Sequence, residues 1–176
     1  IDTIDVFLDP AHPQRAAIEQ CPAGHVLVMD SRRDATAASA GDILIRRLMK
    51  RGGAGVVTDG GFRDSPAIGE LNIPSYHSRP SSPTNLVNNH AVDIDVPIGC
   101  GGVPVYPGDI VVGDGEGVVI IPAHLADEIA AEAVEMTLFE SFVAERVDAG
   151  ASITGLYPPT NPETRPAFEA WKAERG

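Results

Sequence analysis

Short apolar blocks separated by polar punctuation set the rhythm of this chain. "HVLVMD", His25 to Asp30, is a Val/Leu run between Cys-Pro-Ala-Gly and Ser-Arg-Arg-Asp, which predicts a buried strand. From Asp42 the period changes. Ile45, Leu48 and Met49 share one helical face, Arg46, Arg47 and Lys50 lie elsewhere, and Gly52-Gly53 supplies a stop, so the pattern predicts a helix of about three turns. "AGVV", Ala54 to Val57, predicts a second buried strand that ends in the turn residues Thr-Asp-Gly-Gly. Strand, helix and strand define an α/β unit.

Beyond it, "IPSYHS" from Ile73 and the alternating "VDIDVPI" from Val92 predict further strands. The Pro-, Ser- and Asn-rich stretch from Ser78 to His90 between them reads as a surface or interface loop. "VPVYPGDIVVGDGEGVVIIP", Val103 to Pro122, carries two β runs around a Gly/Asp turn, a hairpin signal. From Ala123 to Asp148, Leu125, Ile129, Ala133, Met136, Phe139, Val143 and Val147 mark a long amphipathic helix closed by Gly150. A Pro-rich tail with a short helix from near Pro166 follows, the kind of arm that packs on a neighbouring subunit. The expected organisation is an α/β domain over residues 1–154 and an arm over 155–176. A start at Ile1-Asp2-Thr3, without Met, suggests an upstream segment that would help complete any site.

The predicted helix from Asp42 climbs about 15 Å and five extended residues return about as far. Packed antiparallel, they would bring Asp59, Arg63 and Asp64 back to Asp42. Ligands gather at the carboxyl ends of strands, and the helix start offers the unpaired N–H groups of Ile43 and Leu44 to an anion. Taken singly, Asp42 is also an ordinary helix-start acid and Arg63-Asp64 an ordinary solvated pair. Their convergence gives the site its meaning.

Composition narrows the chemistry. The chain has 176 residues and a formal charge of −12, a poor match to a nucleic-acid backbone. No run of about 18 apolar residues predicts a membrane span. Cys21 and Cys100 lack CxxC spacing and no secretory leader precedes them, which reads as reduced thiols in a cytoplasmic protein. His12, His25, His77, His90 and His124 show no metal-ligand spacing, no GxSxG elbow occurs, and neither "GGAG" nor "GDGEG" leads into the Lys-Ser/Thr of a phosphate loop. Cys100, within "GCGG", reads as an inert thiol. Lysine occurs only at Lys50 and Lys172, which disfavours Schiff-base chemistry. A protein of this composition that handled carbonyl compounds would use a divalent ion and an arginine, and the hard oxygens of Asp64 suit Mg²⁺ or Mn²⁺.

"GDILIRRLMKRGGAGVVTDGGFRD", followed by "VPIGCGGVPVYPGDIVVGDGEGVVIIP", resembles the RraA-like family over nearly the whole chain. That family includes metal-dependent 4-hydroxy-4-methyl-2-oxoglutarate/4-carboxy-4-hydroxy-2-oxoadipate aldolases and a regulator that inhibits an endoribonuclease by protein contact, so one fold serves two functions. The resemblance implies a swivelling β/β/α domain with a central mixed sheet flanked by helices. It further implies a homotrimer or dimer of trimers with its active site at a subunit interface. It makes Asp64 the metal-anchoring carboxylate and Arg63 the cation that meets the substrate keto or enolate oxygen. Asp42 matches an acid that orients water at the metal or relays a proton, while the N–H groups of Ile43 and Leu44 hold the pyruvyl carboxylate. Glu140 falls in loose register with an acid supplied by a neighbouring subunit to the metal, and reads equally as a solvated acid on a helix face. The family's aldolases carry an acid three residues after the Arg-Asp pair. Here that place is Ala67, and Glu70 is the next acid. The function implied is a Mg²⁺- or Mn²⁺-dependent lyase that releases pyruvate from a small 2-oxo acid by retro-aldol cleavage, with oxaloacetate decarboxylation as a side activity. The alternative is a non-enzymatic regulator that binds a ribonuclease.

Overall fold

A computed structural model describes residues 8–175; the start at Ile1-Asp2-Thr3 lies outside them. The chain forms two compact units, one closing at Ala123 and the other running from His124. The expected boundary at 154/155 falls inside the second unit.

In chain order the first unit contains α1 (Pro13–Gln20), β1 (Val26–Met29), β2 (Ala38–Ala40), α2 (Asp42–Lys50), β3 (Gly55–Thr58), β4 (Gly61–Phe62), α3 (Ser65–Gly69), β5 (Ser75–Tyr76) and β6 (Arg79–Pro80). Two antiparallel hairpins follow, β7 (Ile98–Cys100) with β8 (Val103–Val105), and β9 (Ile110–Gly113) with β10 (Val118–Ile121). The α/β class and the mixed pairing expected from sequence are both present. Parallel pairing builds two three-stranded sheets, ordered β1-β3-β5 and β2-β4-β6.

Those two orders interleave. Each of three successive passes of the chain lays one strand in the first sheet, breaks, and lays the next in the second sheet. The breaks are polar and buried. The Asp59 carboxylate accepts the backbone N–H groups of Ser31 at 2.7 Å, Arg33 at 3.0 Å and Gly101 at 3.1 Å. Beside it, the Ser31 and Ser39 hydroxyls lie 2.6 Å apart and those of Ser39 and Thr58 2.9 Å apart. Buried polar groups of this kind persist only when fully paired. A Cβ at Gly60 would lie 2.5 Å from Ser39 Oγ, so the middle pass must carry glycine at its break.

The apolar core collects Ile18 from α1, Ile45 and Leu48 from α2, Val56 from β3, Phe62 from β4 and Ile68 from α3. The predicted helix face therefore does face the core. One expected strand fails, and several elements went unread. No strand forms over residues 92–97, because Asp95 adopts φ 54°, in the left-handed region. Regular structure resumes at β7. Helix α1 and the short strands β2, β4 and β6 have no period long enough to be read from sequence, although Pro13 at the helix start and the His12 ring, which accepts the Gln14 N–H, carry a capping signal for α1.

The second unit holds α4 (Ala126–Asp148) and α5 (Thr164–Ala173). Phe139, Phe142 and Val143 of α4 pack on Phe168, with Leu156 and Trp171 at the edge. Of the predicted apolar stripe of this helix, Phe139 and Val143 are buried in this unit, while Met136 and Val147 are exposed.

Candidate active site

Helix α2 starts without a side-chain cap, since its N-cap is Gly41. Asp42 is the first-turn acid, suited to the positive end of the helix dipole, and pairs with Arg46 one turn on at 3.6 Å. The first N–H groups of a helix have no partner within it, and those of Ile43 and Leu44 belong to this set. The Ile43 side chain is exposed.

Arg63 and Asp64 reach this helix start by strand pairing. Ala40 of β2 pairs with Phe62 of β4 in parallel register, and the Arg63 N–H donates to the Ala40 carbonyl at 3.1 Å. The next residue after each strand therefore lies side by side. A Cβ on Gly41 would sit 2.7 Å from Arg63 Nε and 2.8 Å from Asp64 Oδ2. The predicted meeting of the Arg-Asp pair with the helix start is thus present, by a route different from the helix–strand return inferred from sequence. Asp59, expected in the same group, is instead the backbone-binding carboxylate at the strand break.

Asp64 has φ 58°, a left-handed conformation for a residue with a side chain. It stands at the N-cap of α3 yet makes no side-chain cap bond, so its carboxylate is not spent on the helix. Its contact is Arg63 Nε at 3.4 Å, with both side chains nearly half exposed. An ion pair so exposed contributes at most about 1 kcal/mol, while the left-handed backbone costs about 1–3 kcal/mol. Stability does not account for the arrangement. Strain held without local compensation is typical of functional positions.

The pair opens on a cleft of about 700 Å³, with residues 62–66 forming one wall and residues 80–82 the other. Ala67 lies on α3 and Glu70 is exposed at the C-cap of that helix. Glu140 is in the second unit, where it accepts the Tyr157 hydroxyl at 3.0 Å. Among the described residues no group of three or more His, Cys, Asp or Glu side chains converges on a metal position. One free carboxylate fits an ion such as Mg²⁺, which takes one or two protein carboxylates and fills its remaining positions with water and substrate oxygens. Cys100 is a free thiol that burial, aided by the nearby Asp59 charge, pushes up to about 11, so it is not a thiolate nucleophile near neutral pH. Sequence reasoning missed the Ser31, Ser39 and Thr58 cluster that supports the site from behind; only the break between apolar blocks hinted at it.

Parallel strand pairs set an arginine and a left-handed aspartate against a helix start, at the mouth of a cleft, in an α/β protein. The chain belongs to the RraA-like family: a family model described as Aldolase/RraA matches residues 1–120. It is 38% identical over 117 residues to a Halalkalibacterium halodurans protein named "Putative 4-hydroxy-4-methyl-2-oxoglutarate aldolase", covering 66% of this chain and 55% of that one. A protein of the same name from Aromatoleum aromaticum is 34% identical over 125 residues, covering 71% and 77%. The chain thus spans little more than half of the first relative and about three quarters of the second. Among solved structures, an uncharacterized protein from Pseudomonas syringae superposes with a TM-score of 0.73 at 26% identity, covering 80% of this chain and 70% of that one. Streptomyces coelicolor RraAS2, described as an unusual member of the RNase ES inhibitor RraA protein family, gives 0.66 at 36% identity, covering 72% and 65%. Among the described residues no helix is long and apolar enough to cross a membrane.

Proposed function

We propose that this chain is a divalent-metal-dependent lyase that cleaves a 4-hydroxy-2-oxo acid and releases pyruvate. The observation that carries the reading is Asp64, strained, making no cap bond to its helix, and paired with Arg63 at the start of α2. The two relatives named as aldolases support it.

Asp64 would hold Mg²⁺ or Mn²⁺. Such an ion, when bound, polarises the 2-oxo group and neutralises charge on its oxygen. The protein's own residues supply the rest. The N–H groups of Ile43 and Leu44 bind the substrate carboxylate at the positive end of α2. As the C3–C4 bond breaks, its electron pair passes into the pyruvate enolate, whose oxygen the Arg63 guanidinium stabilises. The C4 hydroxyl gives up its proton and becomes the carbonyl of the departing product. Asp42, through an ordered water, takes that proton and returns one to C3 of the enolate. Arg46, one turn on, pairs with Asp42 at 3.6 Å. Oxaloacetate decarboxylation passes through the same enolate and is an expected side activity.

The test is pyruvate release by EDTA-stripped protein, before and after Mg²⁺ is restored. Activity should depend on the ion, and Arg63→Ala should lower kcat by about 10²–10³. Full turnover without the ion, or in that variant, refutes the reading. Assembly as a homotrimer or dimer of trimers in the cytoplasm, with Glu140 reaching the site of a neighbouring copy, completes the proposal. Light scattering on the purified protein checks the stoichiometry.

A second reading, a regulator that docks on a ribonuclease, draws on the likeness to RraAS2 and on the charge of −12. A stoichiometric nuclease complex, with no lyase activity on a panel of 2-oxo acids, would favour it.

A further inference from the structure

Helix α1 is held at its start by a ring that can change charge. His12 is the N-cap, and its Nδ1 accepts the Gln14 N–H at 3.3 Å. An accepting Nδ1 places the neutral ring's proton on Nε2, and that atom is buried without a hydrogen-bond partner. The residue as a whole is 4% exposed. Against it lies His90, from the loop after β6, with ring centroids 5.0 Å apart and planes at 87°. Among the described residues, the other charged groups that face His12 are Arg15, in the first turn of α1, and Asp9, ahead of it.

A second proton on His12 has one place to go, Nδ1, the atom that caps the helix. Capping and protonation therefore exclude each other, because a protonated Nδ1 sets a donor against the Gln14 N–H donor. The new charge would also be buried at the positive end of a helix dipole and beside a second imidazole. Burial first, then His90 and Arg15, hold His12 below the ordinary histidine value of 6.5, with Asp9 opposing. What the cap secures reaches further into the unit. Gln14 Nε2 donates to the Ser39 carbonyl of β2 at 2.5 Å, two residues before Gly41, and Ile18 enters the core.

We infer that His12 and His90 form an acid-released clasp: the uncharged His12 ring caps α1 and keeps it on β2, and protonation of His12 uncaps the helix and frees its first turn and the Gln14 tether. Both rings belong to one chain, and the clasp stands independently of the lyase reading. A released ring takes up a proton that the docked ring refuses. The clasp therefore holds fully above about pH 6.5, and its opening rises as pH falls below that value, by up to about tenfold per pH unit for one proton.

Hydrogen exchange on the whole protein at about pH 7.5 and about pH 5.5, on either side of the ordinary histidine value, tests this once each amide is corrected for its intrinsic rate. Residues 13–20 and 38–40 should lose protection in acid, by up to about tenfold in opening, while β3 keeps its own. His12→Asn retains a capping acceptor that does not titrate and should abolish the acid loss. His90→Leu, at an exposed position, leaves the cap and removes the opposing ring, and should lessen the loss. Unchanged protection of α1 in the parent protein overturns the inference. So does an acid loss that β3 shares equally, or one as large in either variant as in the parent.

Discussion

The two units of the chain build their interiors differently: the first sets a buried polar lattice beside its apolar core, and the second gathers aromatic rings. In the first, the space between the sheets is bridged by the Asp59 carboxylate and three hydroxyls. In the second, Phe139, Phe142, Phe168 and Trp171 form a contiguous aromatic cluster, with Phe139 and Phe168 edge to face at 5.2 Å. Aromatic packing is forgiving of detail and strong per residue. A buried polar lattice is directional, so it fixes where each strand breaks. The unit that must hold Arg63 and Asp64 against Gly41 within a fraction of an ångström is the one with the directional interior.

The contrast can be attacked from both sides. The largest effect should come from Phe168→Ala, which empties a fully buried site in the second unit and should cost about 3–5 kcal/mol. Fluorescence of Trp171, the chain's one tryptophan, reads the shift in urea midpoint directly. Asp59→Ala comes next. It strands three backbone N–H groups, and a loss of about 2–3 kcal/mol is expected by circular dichroism, with pyruvate release falling as the breaks loosen. A variant as stable as the parent would show the polar lattice to be dispensable.

Gly41→Ala sharpens the comparison, because it touches geometry more than stability. Its Cβ would meet Arg63 Nε and Asp64 Oδ2, so activity should drop about tenfold or more while the unfolding midpoint moves little. The smallest effect is one of pH. The folded Cys100 thiol is raised from 9.0 to about 11, so between those values the unfolded chain gives up a proton that the folded chain keeps. The contribution to stability is complete below the unfolded value and is lost as pH rises through the folded one. Cys100→Ala should therefore show a shallower fall in stability over that interval than the parent does.

How much of this was legible in the sequence follows the same division. Helix α2 and strands β1 and β3 each present several residues of one period and were readable as elements, although β1, expected to be buried, is only half-buried because its residues pack at the margin of the core. The argument about chain reversal led to the right meeting of Arg63 and Asp64 with the start of α2, at Gly41, by an incomplete cause. The actual cause, pairing of β2 with β4, rests on strands of three and two residues, too short for any period to register. Asp59 shows the limit plainly. It was expected beside Asp42 and serves the strand break instead, because three backbone donors from two distant loops could not be inferred from a pattern that records side chains alone. The expected strand at Val92 failed for a local reason, a single left-handed aspartate.

The cleft walls, apart from Phe62, are solvent-facing positions at the ends of short strands, whereas the free energy of folding resides in the layers behind them. Drift at such positions is therefore thermodynamically cheap. A scaffold of this kind can trade one substrate for another over evolutionary time while its architecture is inherited unchanged.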